Sequence, residues 1–519
     1  MLNKILKNII KLKPKNQKEF AKIKRKICGK FKKAPISNSD LFAIYKKLLK
    51  KKEISKKTWL ENFLIKHPIR SLSGVAVVAV LTKPYPCPGK CLYCPTEKGI
   101  PKSYLSNEPA VMRAVLCKFD PYKQVKMRIK SLQATGHSTD KIELIIMGGT
   151  WTYLPKQYQT WFIKRCFQAL NNQNKEQTLK NLQKINETAK HRCVALTLET
   201  RPDFINLKEI KRMRELGCTK VELGIQSLDD AILQLNARGH KVKQIIHATE
   251  LLKNFGFKIC YHMMPNLLGS TITKDFKIFK ELFDNPNFKP DLLKIYPCVV
   301  TKNSKLYNFW KQKKYKPYNQ NQLTNLLIKI KQIIPRYVRI IRIIRDIPSS
   351  SVEAGNKISN LREMVKSEMQ KKGLQCQCIR CRQAKIMECK TQKLKLFIEK
   401  YKASEGMEYF LSIEDFKRKT LYAFLRLRIP YKFTVNISAL NKAGIIREIH
   451  TYGKALEVGK KNKKAIQHFG LGKKLILEAE KITKNLKIKK IAVISGIGVR
   501  EYYRKIGYTL KDGYMLKFL

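Results

Sequence analysis

Acidic residues and long apolar runs are both scarce in this sequence. It holds 39 Asp and Glu against 107 Lys and Arg, which leaves a formal net charge of +68 over 519 residues. No stretch approaches the ~20 apolar residues that a membrane span needs, and the first residues lack the apolar core and small-residue cleavage site of a signal peptide. These absences exclude a secreted or membrane protein, and we expect a cytoplasmic one.

The excess of basic residues indicates a polyanionic partner. Self-repulsion at this charge destabilises a folded chain unless counter-charge neutralises it, so nucleic acid is the leading partner. The alternative is codon bias toward lysine in an AT-rich genome. Residues 1–70 hold 22 basic residues against 4 acidic ones, with apolar residues at helical spacing. We expect a basic helical region there that binds a phosphate backbone.

From about residue 71 short apolar runs alternate with longer stretches. This alternation predicts parallel strands in a β/α barrel or partial barrel, with function at the carboxyl ends of the strands. The fold class is therefore α/β, and we expect the barrel at 71–375, a connector at 376–410 and a smaller α/β unit at 411–519. The six runs of strand length are 74–81, 142–147, 194–198, 221–225, 259–263 and 292–296.

A cysteine triplet follows the first expected strand. Cys87, Cys91 and Cys94 form C-x3-C-x2-C, and three thiolates can bind three irons of a 4Fe–4S cluster and leave the fourth iron open. S-adenosylmethionine can chelate that iron through its amino and carboxylate groups. Structural zinc is the alternative, but zinc normally needs a fourth protein ligand and no adjoining residue is Cys or His. The loop resembles that of the radical-SAM superfamily, whose partial barrel starts in the same way.

Three further loops at expected strand ends are candidates for binding S-adenosylmethionine. Gly148 and Gly149 follow the second strand, where the superfamily brings glycine backbone close to the methionyl amino group. Glu199 and Arg201 follow the third strand and Gln226 the fourth, and these side chains can bind the carboxylate and ribose. A turn or a structural ion pair explains each residue singly, whereas their common position at strand ends favours a site.

A glycine-rich turn begins a helix in the C-terminal unit. Gln467, Gly470 and Gly472 form Q-x-x-G-x-G, and bare backbone N–H groups at a helix N-terminus can bind a pyrophosphate. The turn resembles the acetyl-CoA loop of GNAT-type acetyltransferases. Tyr502 and Tyr503 follow the next expected strand, where two phenols would lie near the thioester sulfur.

A second cysteine cluster lies in the connector. Cys376, Cys378 and Cys381 form C-x-C-x2-C, a spacing that suits structural zinc with a fourth ligand such as Cys389 or a distant His. The alternative is a set of reduced thiols without metal.

The combination of the two units resembles one family. A radical-SAM barrel joined to a GNAT-type domain is similar to the catalytic subunit of Elongator, the tRNA-uridine carboxymethyl (acetyl) transferase family. The short cysteine spacing resembles that of archaeal and bacterial members. The resemblance covers about residues 68–519 and includes Glu108-Pro109, Arg238-Gly239-His240 and Tyr502-Tyr503-Arg504 in the family's order.

The resemblance implies a reaction. A deoxyadenosyl radical removes hydrogen from the acetyl methyl of acetyl-CoA, and the carbon radical adds to C5 of the wobble uridine in the anticodon stem-loop of tRNA. Thioester hydrolysis then leaves 5-carboxymethyluridine. Elongator-type subunits or a second copy of the chain are further expected partners, and residues 1–70 would bind the tRNA.

The resemblance also implies roles for individual residues. Cys87, Cys91 and Cys94 would hold the cluster, and Lys141 matches a position associated with acetyl-CoA. The candidate catalytic residues are Lys141, Tyr502 and Tyr503. The matching CoA contacts are Glu448, Ile449, His450, Thr451, Leu471, Gly472, Lys473 and Tyr503.

Two other functions fit parts of the pattern. A protein-lysine acetyltransferase would use acetyl-CoA in the ordinary way and keep the barrel as a scaffold. A tRNA-binding scaffold with degenerate sites would need neither cofactor, and the intact cysteine triplet and the 467–472 turn count against it.

Overall fold

The N-terminal part of the structure is a small helical unit. The structure is a computed structural model, and it describes residues 1–65, 74–384, 394–432, 436–452 and 470–519. Asn16 and Ser37 cap two of the helices, because their side chains accept hydrogen bonds from the first-turn N–H groups of Glu19 and Asp40. Apolar side chains of all four helices form a core of their own. The helices are α1 (Leu2–Leu12), α2 (Gln17–Lys30), α3 (Asn38–Lys50) and α4 (Thr58–Leu64).

A seven-stranded parallel sheet follows, with its strands in sequence order. This is the predicted partial barrel, because every neighbouring pair is parallel and each connection carries helices. The sequence predicted the first six strands and missed the short seventh, in which arginines flank only two apolar residues. The strands are β1 (Ala76–Leu81), β2 (Lys141–Met147), β3 (Arg192–Thr200), β4 (Lys220–Gln226), β5 (Lys258–Met263), β6 (Leu292–Ile295) and β7 (Arg339–Arg342).

Helices cover the outer face of this sheet and leave its inner face open. Along β2, Ile142, Leu144 and Ile146 are buried in the main core, whereas Lys141 and Glu143 line an internal cavity. The alternation places polar side chains inside the barrel. The helices are α5 (Pro109–Leu116), α6 (Pro121–Ala134), α7 (Lys156–Leu170), α8 (Leu179–Asn186), α9 (Leu207–Glu215), α10 (Asp230–Leu235), α11 (Val242–Asn254), α12 (Ile272–Asp284), α13 (Leu306–Lys311), α14 (Gln320–Gln332), α15 (Leu361–Lys371) and α16 (Ile379–Arg382).

A second sheet of seven strands forms the C-terminal unit. Its elements are β8 (Leu394–Lys402), β9 (Gly406–Asp415), β10 (Leu421–Pro430), β11 (Gly444–Thr451), α17 (Leu471–Asn485), β12 (Lys490–Val493), α18 (Arg500–Arg504), β13 (Thr509–Lys511) and β14 (Tyr514–Phe518). The strand order is β13-β14-β12-β11-β10-β9-β8. The sheet is antiparallel except between β11 and β12, which α17 connects.

This second sheet begins before the expected boundary at residue 411. Strand β8 and the first half of β9 belong to it, although the sequence analysis assigned both to the connector. The reason is that β8 is an edge strand in which three lysines and a glutamate lie among nine residues, so its composition resembles a charged linker.

The two sheets pack against each other with close backbone contact. A Cβ on Gly496 would lie 2.0 Å from the carbonyl oxygen of Val194 in β3, so only glycine fits there. Arg447 of β11 reaches Asp291, immediately before β6, with Nη1 2.8 Å from Oδ2. These contacts hold β11 against the barrel.

Candidate active site between the two sheets

One cavity of about 1400 Å³ is lined by residues of both units. Its wall includes Cys87, Cys91 and Cys94 from the loop after β1, together with residues of β11 and of the first turn of α17. The sequence placed the cysteine loop and the glycine turn in separate domains, and the reaction implied by the resemblance requires their cofactors to meet in one cleft. The fold places both motifs on one cavity.

The cysteine loop is held against the barrel by Arg238. Its Nη1 atom lies 3.5 Å from the Sγ atom of buried Cys91, and its other amino group donates to the carbonyl of Gly224 at the end of β4. A hydrogen bond with Cys94 and the charge of Arg238 lower the pKa of Cys91 to about 4, against the effect of burial. The thiolate form that binds iron is therefore favoured at Cys91, whereas the hydrogen bond with Cys91 and burial raise the pKa of Cys94 well above its ordinary value.

The spacing of the sulfur atoms separates the two cysteine clusters. Among the described residues, Cys376, Cys378 and Cys381 place all three sulfurs within 4.8 Å of one another, whereas Cys87, Cys91 and Cys94 do not form such a group. A single tetrahedral zinc ion with bonds of about 2.3 Å requires close sulfurs. An iron–sulfur cluster binds each cysteine to a different iron, so its three sulfurs need not converge on one point.

Unpaired polar groups line the wall beside the cysteine loop. Arg201 binds Asp203, with Nη2 2.7 Å from Oδ2, and its Nη1 has no hydrogen-bond partner among the described residues. The Oε1 atom of Gln226 and the Nε atom of Arg238 are also unpaired there. Gln226 adopts a φ of +74°, an uncommon conformation for a residue other than glycine. These atoms offer donors and acceptors to a polar ligand.

The glycine pair after β2 forms a tight corner. Gly148 has a φ of +130°, and a Cβ there would lie 2.0 Å from the Oγ1 atom of Thr82, so the backbone packs directly on the end of β1. Gly149 lines the cavity, and Gly148 lies behind it.

A chain of charged side chains crosses the inside of the barrel. His262 lies between two carboxylates, with Nε2 2.9 Å from Glu222 and Nδ1 3.5 Å from Glu199. Glu199 also accepts a hydrogen bond of 2.8 Å from the Tyr104 hydroxyl. Lys294 pairs with Glu222. Of these residues the sequence analysis assigned a role only to Glu199. The signal that could have identified the other strand residues is a polar residue that interrupts the apolar run of a predicted strand.

Strand β11 forms the opposite wall. It pairs with β12 only over Gly444–Ile446, and beyond this pairing Glu448, Ile449, His450 and Thr451 line the cavity. Glu448 is bound by Arg426, with Oε2 2.9 Å from Nε, and by Lys258 at 3.7 Å. Although burial opposes it, the charges of Lys258 and Arg426 lower the pKa of Glu448 to about 2.

His450 is neutral at the pH of the cell. Burial lowers its pKa to about 4, and its Nε2 atom has no hydrogen-bond partner among the described residues. The ring packs against Tyr452, with ring centroids 4.4 Å apart. It therefore presents a free imidazole nitrogen at the cavity.

The first turn of α17 completes this wall. Gly470, Gly472 and Lys473 line the cavity, and Gly470 has a φ of +67° that suits glycine. The Leu471 side chain lies in the core of the second sheet instead. Gln467 lies outside the described residues.

Tyr502 and Tyr503 lie beside this turn and both line the cavity. Tyr502 is partly exposed, and a Cβ on Gly472 would come within 3.2 Å of its hydroxyl oxygen. Tyr503 is buried among apolar side chains. Lys141, at the start of β2, also lines the cavity.

Comparisons with known proteins agree with this architecture. Residues 85–281 match the family model of the radical SAM superfamily, and residues 290–371 match that of a radical SAM C-terminal domain. A tRNA uridine(34) acetyltransferase of Methanocaldococcus infernus is 48% identical over 487 residues, which are 91% of this chain and 91% of that protein. The chain belongs to that family.

The family extends to eukaryotes. Human Elongator complex protein 3 is 38% identical over 468 residues, which cover 87% of this chain and 85% of that protein. The solved structure of the Methanocaldococcus infernus Elp3, with an N-terminal deletion, matches with a TM-score of 0.76 at 46% identity, covering 86% of this chain and 100% of that one. The predicted resemblance to the Elongator catalytic subunit and the predicted fold class are confirmed. Radical SAM membership implies a 4Fe–4S cluster and S-adenosylmethionine.

In this member of the tRNA uridine(34) acetyltransferase family the second cysteine cluster joins the two sheets. After Cys378, the backbone N–H of Ile379 donates to Val338 beside β7, and that of Ala384 donates to Leu421 in β10, both at 2.9 Å. Arg382 binds Glu414 of β9 at 2.7 Å. Cys389, the expected fourth ligand, lies outside the described residues.

In the part of the chain that the structure describes, every helix is too short or too polar to cross a lipid bilayer.

Proposed function

We propose that this protein is a tRNA carboxymethyluridine synthase. It would use acetyl-CoA and S-adenosylmethionine to attach a carboxymethyl group to C5 of the wobble uridine. The observation that carries the proposal is the single cavity lined by the cysteine loop on one side and by β11 and α17 on the other. The names of the relatives, which are tRNA uridine(34) acetyltransferases, support the substrate.

The cofactor side of the cavity suits the implied cluster and S-adenosylmethionine. Cys87, Cys91 and Cys94 would hold the cluster, which when bound supplies the electron that cleaves the sulfonium of S-adenosylmethionine. The unpaired atoms of Arg201 and Gln226 would bind the polar groups of the nucleoside. Glu199, which Tyr104 and His262 hold in place, would also bind S-adenosylmethionine.

The opposite wall suits acetyl-CoA. The first N–H groups of α17, from Gly470 to Lys473, would bind the pyrophosphate. The stretch of β11 that β12 leaves unpaired would bind the amides of the pantetheine. Tyr502 would contact the thioester end, and Lys141 would face it from the barrel.

Hydrolysis of the thioester requires a group that accepts a proton from water. His450 is the proposed acceptor because it lines the cavity and its Nε2 atom has no hydrogen-bond partner among the described residues. Burial makes it a weak base, and the charge of Glu448 opposes that effect. The water oxygen would bond to the carbonyl carbon, its proton would pass to Nε2, and CoA would leave as the thiol once protonated. Because both reactants are held in one cavity, they need not meet by chance. Such positioning lowers the activation free energy by up to about 7–11 kcal/mol.

The tRNA would bind through its phosphates. The four N-terminal helices present lysines on exposed faces. Moving the wobble base out of its stack costs a few kcal/mol of free energy, and contacts between lysines and phosphates can offset this cost. Elongator-type subunits or a second copy of the chain are proposed as further partners.

We also propose structural zinc at Cys376, Cys378 and Cys381. The close sulfurs satisfy three tetrahedral positions. The ion would fix the segment that links β7 to β9 and β10.

The test is nucleoside mass spectrometry of tRNA after anaerobic incubation with the protein, a reductant, S-adenosylmethionine and acetyl-CoA. We expect 5-carboxymethyluridine with the wild type and none with Cys91→Ala or without S-adenosylmethionine. A Cys28→Ala variant, which removes a buried cysteine of the N-terminal unit, serves as the control and should give product. Acetyl-lysine on a basic peptide without modified uridine would instead support a protein-lysine acetyltransferase and overturn the proposal.

A further inference from the structure

Three aromatic rings form a ladder above the barrel, at the same end as the cysteine loop. Tyr85 follows β1, Tyr153 follows β2 and Phe204 follows β3. The centroids of Tyr85 and Tyr153 are 6.2 Å apart, and those of Tyr153 and Phe204 are 5.7 Å apart. We call this set the rim ladder. Because neighbouring parallel strands end side by side, the three rings follow the order of the strands.

Two rings of the rim ladder are exposed to solvent, unlike the aromatic rings of the core. Tyr85 is 38% exposed and Tyr153 is 42% exposed, whereas Trp151, two residues before Tyr153, is 3% exposed. The short helical turn at 151–153 therefore points one ring into the core and another into solvent. Phe204 is half-buried beneath Tyr153.

The ladder borders the active-site cavity. Cys87, two residues after Tyr85, and Thr150, three residues before Tyr153, both line the cavity. Arg201 also lines it, and its guanidinium carbon lies 5.9 Å from the centre of the Phe204 ring. The rings themselves lie outside the lining, and a chain segment that enters the cavity from this side passes close to them.

Lysines lie beside the ladder. Lys83 is exposed, and its Nζ atom lies 5.1 Å from the ring centre of Tyr158 on α7. Tyr158 is partly buried, and its neighbour Trp161, with ring centroids 5.5 Å apart, is 43% exposed. Lys156, at the start of α7, is partly exposed and pairs with Glu209. Exposed aromatic rings among lysines are the elements of a single-stranded nucleic-acid platform, since bases stack on the rings and phosphates bind the cations.

We infer that the rim ladder stacks the unpaired bases next to the target uridine. When that uridine leaves the anticodon loop to enter the cavity, the bases beside it lose a stacking partner. The rings of Tyr85 and Tyr153 supply a replacement at the mouth of the cavity. This inference rests on the proposed function, because it takes the substrate to be an anticodon loop.

The experiment compares two RNA hairpins by fluorescence anisotropy with the full-length protein. One is an anticodon stem-loop with a wobble uridine, and the other carries abasic sites at the two loop positions beside that uridine. We expect Tyr85→Leu and Tyr153→Leu each to weaken binding of the intact hairpin about tenfold and to leave the abasic hairpin and the salt dependence unchanged. Tyr153→Phe keeps the ring and should retain wild-type affinity.

Phe416→Leu is the matched control, because Phe416 is 73% exposed at the turn after β9 in the other unit. It should bind both hairpins as the wild type does. Equal binding of the intact hairpin by wild type and both leucine variants would overturn the inference, and so would an equal loss on both hairpins. Failure of the proposed function is distinguishable from failure of this inference. The first appears as absence of 5-carboxymethyluridine from the wild-type reaction, whereas the second appears only in the comparison of hairpin binding.

Discussion

At the scale of the residue, Arg238 shows how a site depends on a side chain outside its motif. It contacts Cys91 on one side and the end of β4 on the other. Arg238 belongs to the Arg238-Gly239-His240 stretch that resembles the family, but the sequence analysis predicted no role for it. The cysteine motif lies within eight residues of chain, whereas Arg238 approaches it only because β1 and β4 belong to the same barrel.

We predict that Arg238→Gln weakens retention of the iron–sulfur cluster. The variant loses a cation beside the Cys91 thiolate, and groups of this kind typically contribute about 10- to 100-fold to metal affinity. The measurement is iron content and visible absorbance after reconstitution and gel filtration. Arg25→Gln in α2 is the control and should retain the cluster, and equal iron content in both variants would contradict the prediction.

At the scale of the element, the short helical turn Ile497–Val499 fixes the second unit on the first. It follows β12, and it packs on β3 through Gly496 and Gly498, where a Cβ would lie 2.0 Å and 2.5 Å from atoms of the first unit. The sequence analysis assigned no role to these glycines. Their local pattern is that of an ordinary turn, because the opposing strand is about 300 residues away in the chain.

We expect Gly496→Ala to destabilise the protein by about 1–3 kcal/mol, because its methyl group overlaps the backbone of Val194. The displacement of β12 from β3 should also reduce formation of 5-carboxymethyluridine. Chemical denaturation and the nucleoside assay measure the two effects. Gly29→Ala in α2, where a Cβ meets nothing within 4 Å, should stabilise by up to about 1 kcal/mol. Unchanged stability of Gly496→Ala would show that the units are not in close contact.

At the scale of the whole molecule, a buried charge cluster joins the two units. Three arginines of the second sheet pair with three carboxylates, and the pairs are Arg426–Glu448, Arg428–Glu408 and Arg447–Asp291. Lys253 of α11 is fully buried beside them and is the fourth cation. Burial and the neighbouring arginines lower its pKa to about 7, although Glu408 and Asp291 oppose the shift.

We predict that Lys253→Met stabilises the protein at pH 7 by about 1–4 kcal/mol. Because the pKa is lower in the folded state than in the unfolded state, burial of the lysine costs stability in full below pH 7. The cost decreases as the pH rises toward the unfolded value near 10.4. The advantage of Lys253→Met over the wild type should therefore shrink between pH 7 and pH 10 in denaturation experiments. An advantage that is constant across this range would contradict the shift.

The sequence by itself determined the features of this protein that depend on residues close together in the chain. Cysteine spacing, the alternation of strands and helices, and the glycine turn all act within a few residues, so the barrel, the cluster loop and the start of α17 were predicted. The reaction implied by the resemblance already required the two cofactors to meet in one cleft. Only the tertiary structure decided which strands and loops form that cavity, that Glu222 and His262 meet inside the barrel, and that β8 joins the second sheet. Those contacts join residues far apart in the chain, and their partners are selected by strand register and by packing between the two units.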